Sequence, residues 1–425
     1  MMGFRPRETA AALALLTQLA CAGQRAIEVA GPAGDRTHDQ GVVAEALAQA
    51  TPGDVIQFGP GTYVVGGEGM LIRTPGIFLR GHPGGTTLVG CTSAERSTLP
   101  IADFWETCNG FTLAGEGQSV SDIRFEGFNY ALSIRQAEGV GLSDGDPSYL
   151  GGQVIENNVF QDVTSLSIRV PADSVVHVRG NVFRNAWHAV AIGGRNIHIV
   201  NNDISVPEPD RVSNGFPGGA IGIRPGDGVC ESILVEGNRI DGHTEGVMVA
   251  LFPQDEPGSS CSDITVRDND IQMRPVYLPD NDPRMGAEER GDYAGKPAIA
   301  PAILVRNVQP LVAAGDIDWP AFWVPEGGWS PELANGRIYN VLVEGNRITG
   351  AVGVGIEVVN ADDVQILDNE IDVRAATTSD ELDGLRLGGN GGAGVWVELG
   401  LLEAVNGSTV WVSETSQRVT VRNRD

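Results

Sequence analysis

The sequence predicts an all-β solenoid, a parallel β-helix, from a short phrase that returns along the chain and from the spacing of its copies. The phrase reads apolar-x-apolar-x-x-Asn-x-apolar, as in "ILVEGNRI" (233–240) and "VLVEGNRI" (341–348). Its alternation of apolar residues is that of a strand with one buried face. The asparagines of the seven copies are Asn158, Asn181, Asn202, Asn238, Asn269, Asn346 and Asn369.

The intervals between these asparagines indicate one coil of chain per repeat. They measure 23, 21, 36, 31, 77 and 23 residues. A period of about 22 with loop insertions accounts for them, the longest being two coils plus an excursion, and such a period is typical of a solenoid. We therefore expect equivalent strands to pair about 4.8 Å apart along one axis.

A second strand phrase lies inside the same period, which predicts two strands per coil. Its copies are "ALSIR" (131–135), "SLSIR" (165–169), "AVAIG" (189–193), "AIGIR" (220–224), "GVMVA" (246–250), "AILVR" (302–306), "GVGIE" (353–357) and "GVWVE" (394–398). An asparagine at one corner of each coil can adopt the left-handed backbone that a bend requires. Stacked asparagines would also form a ladder of side-chain hydrogen bonds, so their role is predicted to be structural.

Four cysteines of the mature chain predict two disulfides. Cys230 and Cys261 each lie three residues before the first apolar residue of a phrase, so the register places them one coil apart, within reach of a disulfide. Cys91 and Cys108 then close a loop in an earlier coil. The alternative of four buried free thiols stays open at this point.

The N-terminus predicts export. Two arginines precede an apolar stretch (10–16), and Ala20, Cys21 and Ala22 have the form of a signal-peptidase site, so residues 1–22 are read as a signal peptide. Cys21 also offers an alternative lipoprotein site with a lipid anchor. No later stretch approaches the ~20 apolar residues of a membrane span. Residues 23–425 then form one β-helix domain with an irregular insertion at about 274–335, and we expect a secreted, periplasmic or cell-envelope protein.

The start of the domain carries a family resemblance. A helix is predicted over 42–50 ("VVAEALAQA"), followed by a Pro-Gly-Asp turn (52–54) and by "PGTY" (60–63). Here the sequence resembles the pectin-lyase-like family of right-handed parallel β-helices, which implies an N-terminal capping helix and right-handed coiling. The family includes lyases, hydrolases, epimerases and non-enzymes, and its better-known catalytic motifs are not found. The chain ends within a phrase (419–425), so its last coil is covered by the preceding segment, covered by another chain, or truncated.

A row of arginines is the first candidate for function. In the second phrase the two aliphatic residues point inward, so the residue between them and the final residue point outward. The final positions include Arg135, Arg169, Arg224 and Arg306, next to small residues at the between-position. Such a row can bind carboxylates or sulfates of a polysaccharide. The alternative is ordinary pairing of these arginines with nearby acids.

A histidine and a glutamate flank this row. His188 and Glu245 each lie two residues before a first inward aliphatic residue, two coils apart with Gly219 between, so their backbones should be about 9–10 Å apart. Together with Arg224 they are the predicted catalytic group for general acid–base chemistry, and His243 and Asp227 are added as binding residues. The alternative is a packed histidine. His177 and His198 are expected to face outward on another sheet.

The composition narrows the class of partner. A net charge of −26 argues against nucleic acid and anionic membranes. We expect a polysaccharide lyase or glycoside hydrolase acting on an acidic glycan, with the aromatic residues Trp319, Phe322, Trp323 and Trp329 of the insertion either stacking on sugars or packing the loop. The alternative is a non-catalytic envelope binding or scaffold protein. No metal site is marked, although acidic loops leave calcium open.

Overall fold

The chain coils into a right-handed parallel β-helix with three strands per coil. A computed structural model describes residues 24–96, 107–135, 151–170, 175–207, 219–225, 228–253, 255–274, 276–277, 297–314, 331–382 and 406–422. The expectation of two strands per coil is wrong, because the residues just after each ladder asparagine form a short strand of their own, such as Val159–Gln161. The predicted signal peptide and Cys21 lie outside the described residues.

The strands form three parallel sheets, named here in the order in which a coil visits them. Sheet I contains Ala26–Glu28, Val55–Gln57, Phe78–Arg80, Ser119–Ser121, Val154–Glu156, Val176–Arg179, the later part of Val190–Val200, Val229–Glu236, Ser260–Arg267, Arg337–Glu344, Ala361–Leu367 and Thr420–Arg422. Sheet II contains Gly61–Val64, Thr86–Val89, Arg124–Glu126, Val159–Gln161, Val182–Arg184, Asp203–Ser205, Arg239–Asp241, Asp270–Gln272, Arg347–Val352 and Glu370–Arg374. Sheet III contains Met70–Ile72, Phe111–Leu113, Tyr130–Arg135, Ser165–Val170, the first part of Val190–Val200, Gly219–Ile223, Glu245–Leu251, Ile303–Asn307, Val354–Val359 and Ser408–Val412.

Like residues stack inside the coils because equivalent strands pair in register. On sheet II the rings of Phe125, Phe160 and Phe183 are nearly parallel, with centroids 5.2 and 4.6 Å apart. All three rings are fully buried. Since burying one large apolar side chain stabilises a fold by roughly 1.5–3 kcal/mol, these stacks are a main source of its stability.

The seven asparagines form one continuous ladder between sheets I and II. Nδ2 of Asn158 donates to Oδ1 of Asn181 at 3.1 Å, and the contact repeats along the column to Asn369 at 2.9–3.0 Å. From Asn181 onward each Oδ1 also accepts the backbone N–H of the preceding ladder asparagine, as Asn238 does from Asn202 at 2.9 Å. Every ladder side chain is buried, so the ladder satisfies polar groups that face the core.

The left-handed residue at this corner is the one before the asparagine, not the asparagine itself as expected. The column with φ between +54° and +65° alternates between a short polar residue and glycine in seven successive coils. It contains Asn157, Gly180, Asn201, Gly237, Asp268, Gly345 and Asp368. The ladder asparagine is then left with ordinary backbone angles, and its side chain is free to point inward.

The 77-residue interval holds one coil, not two. Asn269 Nδ2 donates directly to Asn346 Oδ1 at 2.9 Å, so the two residues belong to neighbouring coils. Ile303–Asn307 supplies the sheet III strand of that coil, pairing with Glu245–Leu251 and Val354–Val359. The described remainder of the insertion comprises the antiparallel pair Val276–Tyr277 and Pro297–Ala298, the helix Gln309–Ala314 and the 3-10 helix Pro331–Asn335.

Register at the C-terminal end of sheet III also differs from the expectation. Glu357 pairs with Leu304, not with Arg306, because the strand Val354–Val359 is shifted by two residues. The next strand of the sheet is Ser408–Val412, whose Trp411 pairs with Glu357. The phrase at 394–398 lies outside the described residues.

Both predicted disulfides are present. Cys230 and Cys261 are register partners on adjacent strands with Cα atoms 4.5 Å apart, so the bond joins neighbouring coils. Cys91 and Cys108 are 5.4 Å apart between Cα atoms. All four residues are buried.

A helix closes the N-terminal end of the core. It spans Arg36–Ala48 and so begins six residues before the predicted start, because Asp35 caps it by accepting the N–H of His38 at 2.9 Å. Its buried residues Val43 and Ala46 pack on the core. In the turn that follows, Asp54 accepts the N–H and hydroxyl of Thr51, and these bonds lower the pKa of its carboxyl.

Candidate functional site

The structure stacks His188, Gly219 and Glu245 in three successive coils at the start of sheet III. Gly219 pairs with Glu245, and Val190 pairs with Ile221, which sets His188 level with Gly219. A rise of about 4.8 Å per coil then separates the His188 and Glu245 backbones by about 9–10 Å. Because Gly219 has no side chain, the side chains of His188 and Glu245 can extend over the coil between them.

The imidazole of His188 is held in one tautomer. Its Nδ1 lies 2.6 Å from the carbonyl oxygen of Gly219. Because a carbonyl only accepts, Nδ1 carries the proton and Nε2 is the basic nitrogen. Burial, opposed by this bond and assisted by the charge of Arg224, lowers the pKa of His188 to about 4. The side chain is therefore neutral at neutral pH, the form in which an imidazole can accept a proton.

Glu245 is more deeply buried than the sequence indicated. Its side chain is 1% exposed, and its Oε2 accepts the hydroxyl of Thr244 at 2.6 Å. A Cβ on Gly219 would lie 3.6 Å from the same oxygen, so the carboxylate lies over that glycine. The carboxylate thus faces the column occupied by His188.

Arg224 is oriented by two residues that the sequence analysis missed. Its Nη2 donates to Oδ1 of Asp255 at 2.8 Å, and its guanidinium lies over the ring of Phe252, 4.5 Å from the ring centroid. Burial raises the pKa of Asp255, while Arg224, the N–H of Phe252 and the charge of Arg169 act in the opposite direction. Both residues lie in the loop that follows the sheet III strand Glu245–Leu251, one coil after Arg224. The pairing of the two coils brings this loop over Arg224.

The predicted row of outward arginines is exposed in the N-terminal half of sheet III and buried in the C-terminal half. Arg135 pairs with Arg169 in adjacent coils, and both side chains are exposed. No ion pair joins either of them to a carboxylate within the described parts of the chain. Arg306 differs, because it is 4% exposed and makes two hydrogen bonds, of 2.6 and 3.0 Å, to the buried carboxylate of Glu357. Arg306 therefore does not line the exposed surface.

The row of arginines continues toward the N-terminus at Arg73, which the sequence did not reveal. Arg73 follows Ile72, which aligns through Leu113 with Ile134, the residue before Arg135. Arg73 is exposed, and so is Leu71 at the adjacent between-position. The signal was a copy of the second phrase in "MLIR" (70–73), too short to recognise without the register.

The outer face of sheet III has a floor of small side chains and an apolar wall. The outward residue between the two inward aliphatic residues of each strand is small in four successive coils and large in the next two. In order they are Ser133, Ser167, Ala191, Gly222, Met248 and Leu304. Met248 and Leu304 pack with Phe252, Leu311 and Val312, the last two from the helix Gln309–Ala314. This wall meets the floor beside His188 and Arg224.

Of the remaining predicted residues, one is buried and the others lie outside the described residues. His243 is fully buried at the corner before the strand Glu245–Leu251, so it does not line this face. Asp227 and the aromatic residues Trp319, Phe322, Trp323 and Trp329 lie outside the described residues. In the part of the chain that is described, no group of three or more His, Cys, Asp or Glu side chains could hold a metal ion. No helix there is long and apolar enough to cross a membrane.

Solved structures share the architecture at low sequence identity. No family model and no curated protein sequence matches the chain. Similar structures include the DFA-IIIase of Arthrobacter chlorophenolicus A6 in complex with DFA-III, with 14% identity, a TM-score of 0.42 and 94% of each chain covered. A tailspike protein mutant of E. coli bacteriophage HK620 in complex with a pentasaccharide has 11% identity and a TM-score of 0.43, over 94% of this chain and 67% of the other. The Streptococcus pneumoniae surface protein and adhesin PfbA has 12% identity and a TM-score of 0.40, over 94% and 99%.

Proposed function

We propose that this chain is an exported protein that binds an acidic glycan along the outer face of sheet III and cleaves it by β-elimination. The observation that carries the proposal is the neutral imidazole of His188, fixed by the Gly219 carbonyl at 2.6 Å and adjacent to the guanidinium of Arg224. A base and a fixed cation side by side are what proton abstraction next to a carboxylate requires.

The chemistry assigns one role to each group. Nε2 of His188 removes the proton on the carbon next to the uronate carboxylate. The electron pair forms a carbon–carbon double bond, the bond to the oxygen of the leaving sugar breaks, and that oxygen takes up a proton from solvent. Arg224 neutralises the charge that builds up on the carboxylate. Arg224 is not assigned the role of base, because a guanidinium has donors and no acceptor, and one of its nitrogens donates to Asp255.

The exposed arginines extend the binding surface beyond the reacting sugar. Arg135, Arg169 and Arg73 follow the floor of small residues away from His188. Guanidinium groups match carboxylates and sulfates in shape and charge. A glycan lying along the coil axis therefore meets several cations in a protein whose overall charge is negative.

A non-catalytic glycan-binding protein is the second candidate, favoured by the burial of Glu245. That carboxylate is 1% exposed and hydrogen-bonded to Thr244, which suits a structural role better than proton transfer. Under this alternative the arginines bind a glycan and nothing is cleaved. Two disulfides support export under either proposal, because such bonds persist in oxidising compartments.

The experiment is to incubate the purified full chain with alginate, polygalacturonate, hyaluronan and a sulfated glycan. Unsaturated products are followed by ultraviolet absorbance and new reducing ends by a sugar assay. We expect unsaturated product from at least one acidic glycan. Reducing ends without unsaturation would instead show hydrolysis, and binding without cleavage would support the second candidate.

Two variants test the assigned roles. His188→Ala should lower turnover by about 10²- to 10⁴-fold, and Arg224→Ala by about 10²- to 10³-fold. The matched control is Arg179→Ala on the outer face of sheet I, which should keep full activity. Unchanged turnover in His188→Ala would remove the imidazole from the mechanism.

A further inference from the structure

Two histidines face outward side by side on sheet I, away from the candidate site. His177 and His198 are register partners on adjacent parallel strands. Their ring centroids are 5.3 Å apart and the ring planes are nearly perpendicular, at 88°. Both side chains are half-buried, and the same outward column continues to Val154 on one side and Leu234 on the other. These apolar neighbours confine the two rings.

The separation of the rings fits a shared tetrahedral ion. An imidazole nitrogen binds zinc at about 2.1 Å, which places the ring centroid about 3.2 Å from the ion. Two such rings at a tetrahedral angle have centroids about 5.2 Å apart. The observed 5.3 Å therefore needs little movement of the backbone, only rotation of the rings about their side-chain bonds.

Two carboxylates lie near the rings, Glu156 by His177 and Glu236 by His198. The two carboxylates are occupied by arginines, Glu156 by Arg179 at 2.8 Å and Glu236 by Arg267 at 2.9 Å.

We propose that His177 and His198 together bind one divalent transition-metal ion, such as zinc or nickel, with water at the open positions. Imidazole ligands suit these ions, whereas calcium prefers oxygen ligands, so this is not a calcium site. A bound ion would cross-link two neighbouring coils on the outer face of sheet I. The site is independent of the glycan-cleaving function proposed above.

The test is calorimetric titration of the full chain, freed of metal with EDTA, with zinc chloride and then with nickel chloride near neutral pH. We expect one ion per chain and a rise in the midpoint of thermal unfolding that EDTA reverses. His177→Gln and His198→Gln should each weaken binding by about tenfold or more, because each leaves a single imidazole. The exposed His38→Gln is the matched control and should bind as the unchanged protein does.

The outcomes separate clearly. Because both histidines face outward, the variants should unfold at the same midpoint as the unchanged protein when no metal is present, which establishes that they fold. Binding that is equally strong in His177→Gln and His198→Gln would place the ion elsewhere and overturn the proposal. Absence of binding to the unchanged chain would overturn it as well.

Discussion

At the scale of single residues, the left-handed corner shows why polar residues and glycines alternate along one column. A Cβ added to Gly237 would lie 2.4 Å from Oδ1 of Asn201, and one added to Gly345 would lie 2.7 Å from Oδ1 of Asp268. Each polar side chain therefore leans over the glycine of the next coil. A side chain on either glycine would therefore collide with the polar side chain of the coil before it.

Replacing the glycine should reveal this contact. We expect Gly237→Ala to destabilise the fold by about 2 kcal/mol more than Gly117→Ala. The control is matched because both glycines have φ of +64°, yet a Cβ on Gly117 would meet nothing within 4 Å. The difference is measured by denaturant unfolding, and adding Asn201→Gly to Gly237→Ala should recover part of it. Equal losses in the two alanine variants would mean that only backbone strain matters.

His188 should make stability depend on pH in a defined window. Its pKa is about 4 in the folded protein against 6.5 for an ordinary histidine, so the unfolded chain binds the extra proton between these values. The contribution is complete above pH 6.5 and is lost as the pH falls toward 4, by up to about 3 kcal/mol. His188→Gln should flatten this part of the profile, whereas His38→Gln should not. A profile unchanged in His188→Gln would contradict the assignment.

At the scale of elements, sheet III contains a buried ion pair where the apolar wall covers it. Arg306 and Glu357 lie on adjacent strands beneath the apolar wall, and both are almost completely buried. Burial raises the pKa of Glu357, against the charge and hydrogen bonds of Arg306. A buried pair of this kind is costly to break because the remaining charge has no solvent.

The pair should therefore be strongly coupled. Arg306→Met alone should destabilise the fold by about 3–5 kcal/mol, and combining it with Glu357→Gln should recover much of that loss. The exposed pair Arg179 and Glu156 provides the control, where Glu156→Gln should cost less than ~1 kcal/mol. Unfolding free energies of the unchanged chain, Arg306→Met, Glu357→Gln and the double variant measure the coupling. Additive losses would show that the two side chains act independently.

At the scale of the whole molecule, charge is distributed differently over the three sheets. On sheets I and II several arginines pair with acids of the neighbouring coil, as Arg267 does with Glu236 at 2.9 Å and Arg239 with Asp203 at 3.3 Å. On sheet III Arg135 and Arg169 stand next to each other in adjacent coils. The acidic protein thus presents a local cationic strip where the candidate site lies.

This strip should make glycan binding sensitive to salt. We expect affinity for an acidic glycan to fall as ionic strength rises, because exposed charges are screened. Replacing Arg135 and Arg169 by glutamine should weaken binding and reduce the salt dependence, while the same change at Arg179 and Arg267 on sheet I should not. Binding measured over a range of salt concentrations decides the matter. Equal effects of the two double variants would argue against a site on sheet III.

The sequence predicted contacts correctly where equivalent positions of the repeated phrase stack in neighbouring coils. The ladder asparagines, the disulfide partners Cys230 and Cys261 and the alignment of His188 with Glu245 all followed from counting residues within a repeated phrase. The predicted alignment was wrong where a long loop or a shifted strand changed the number of residues between equivalent positions. Arg306 was assigned to the exposed row, although its pairing with Glu357 depends on a shift of two residues that no local pattern marks.

The amino-acid sequence by itself determined the coil. Strands with apolar residues at every second position must bury that face, and one buried asparagine per coil must find its hydrogen-bond partners in the neighbouring coils. The tertiary structure alone decided which outward residues meet. Asp255 and Phe252 reach Arg224 from the next coil, and the helix Gln309–Ala314 covers the surface over Arg306, because contacts across coils depend on the path of loops that carry no repeat.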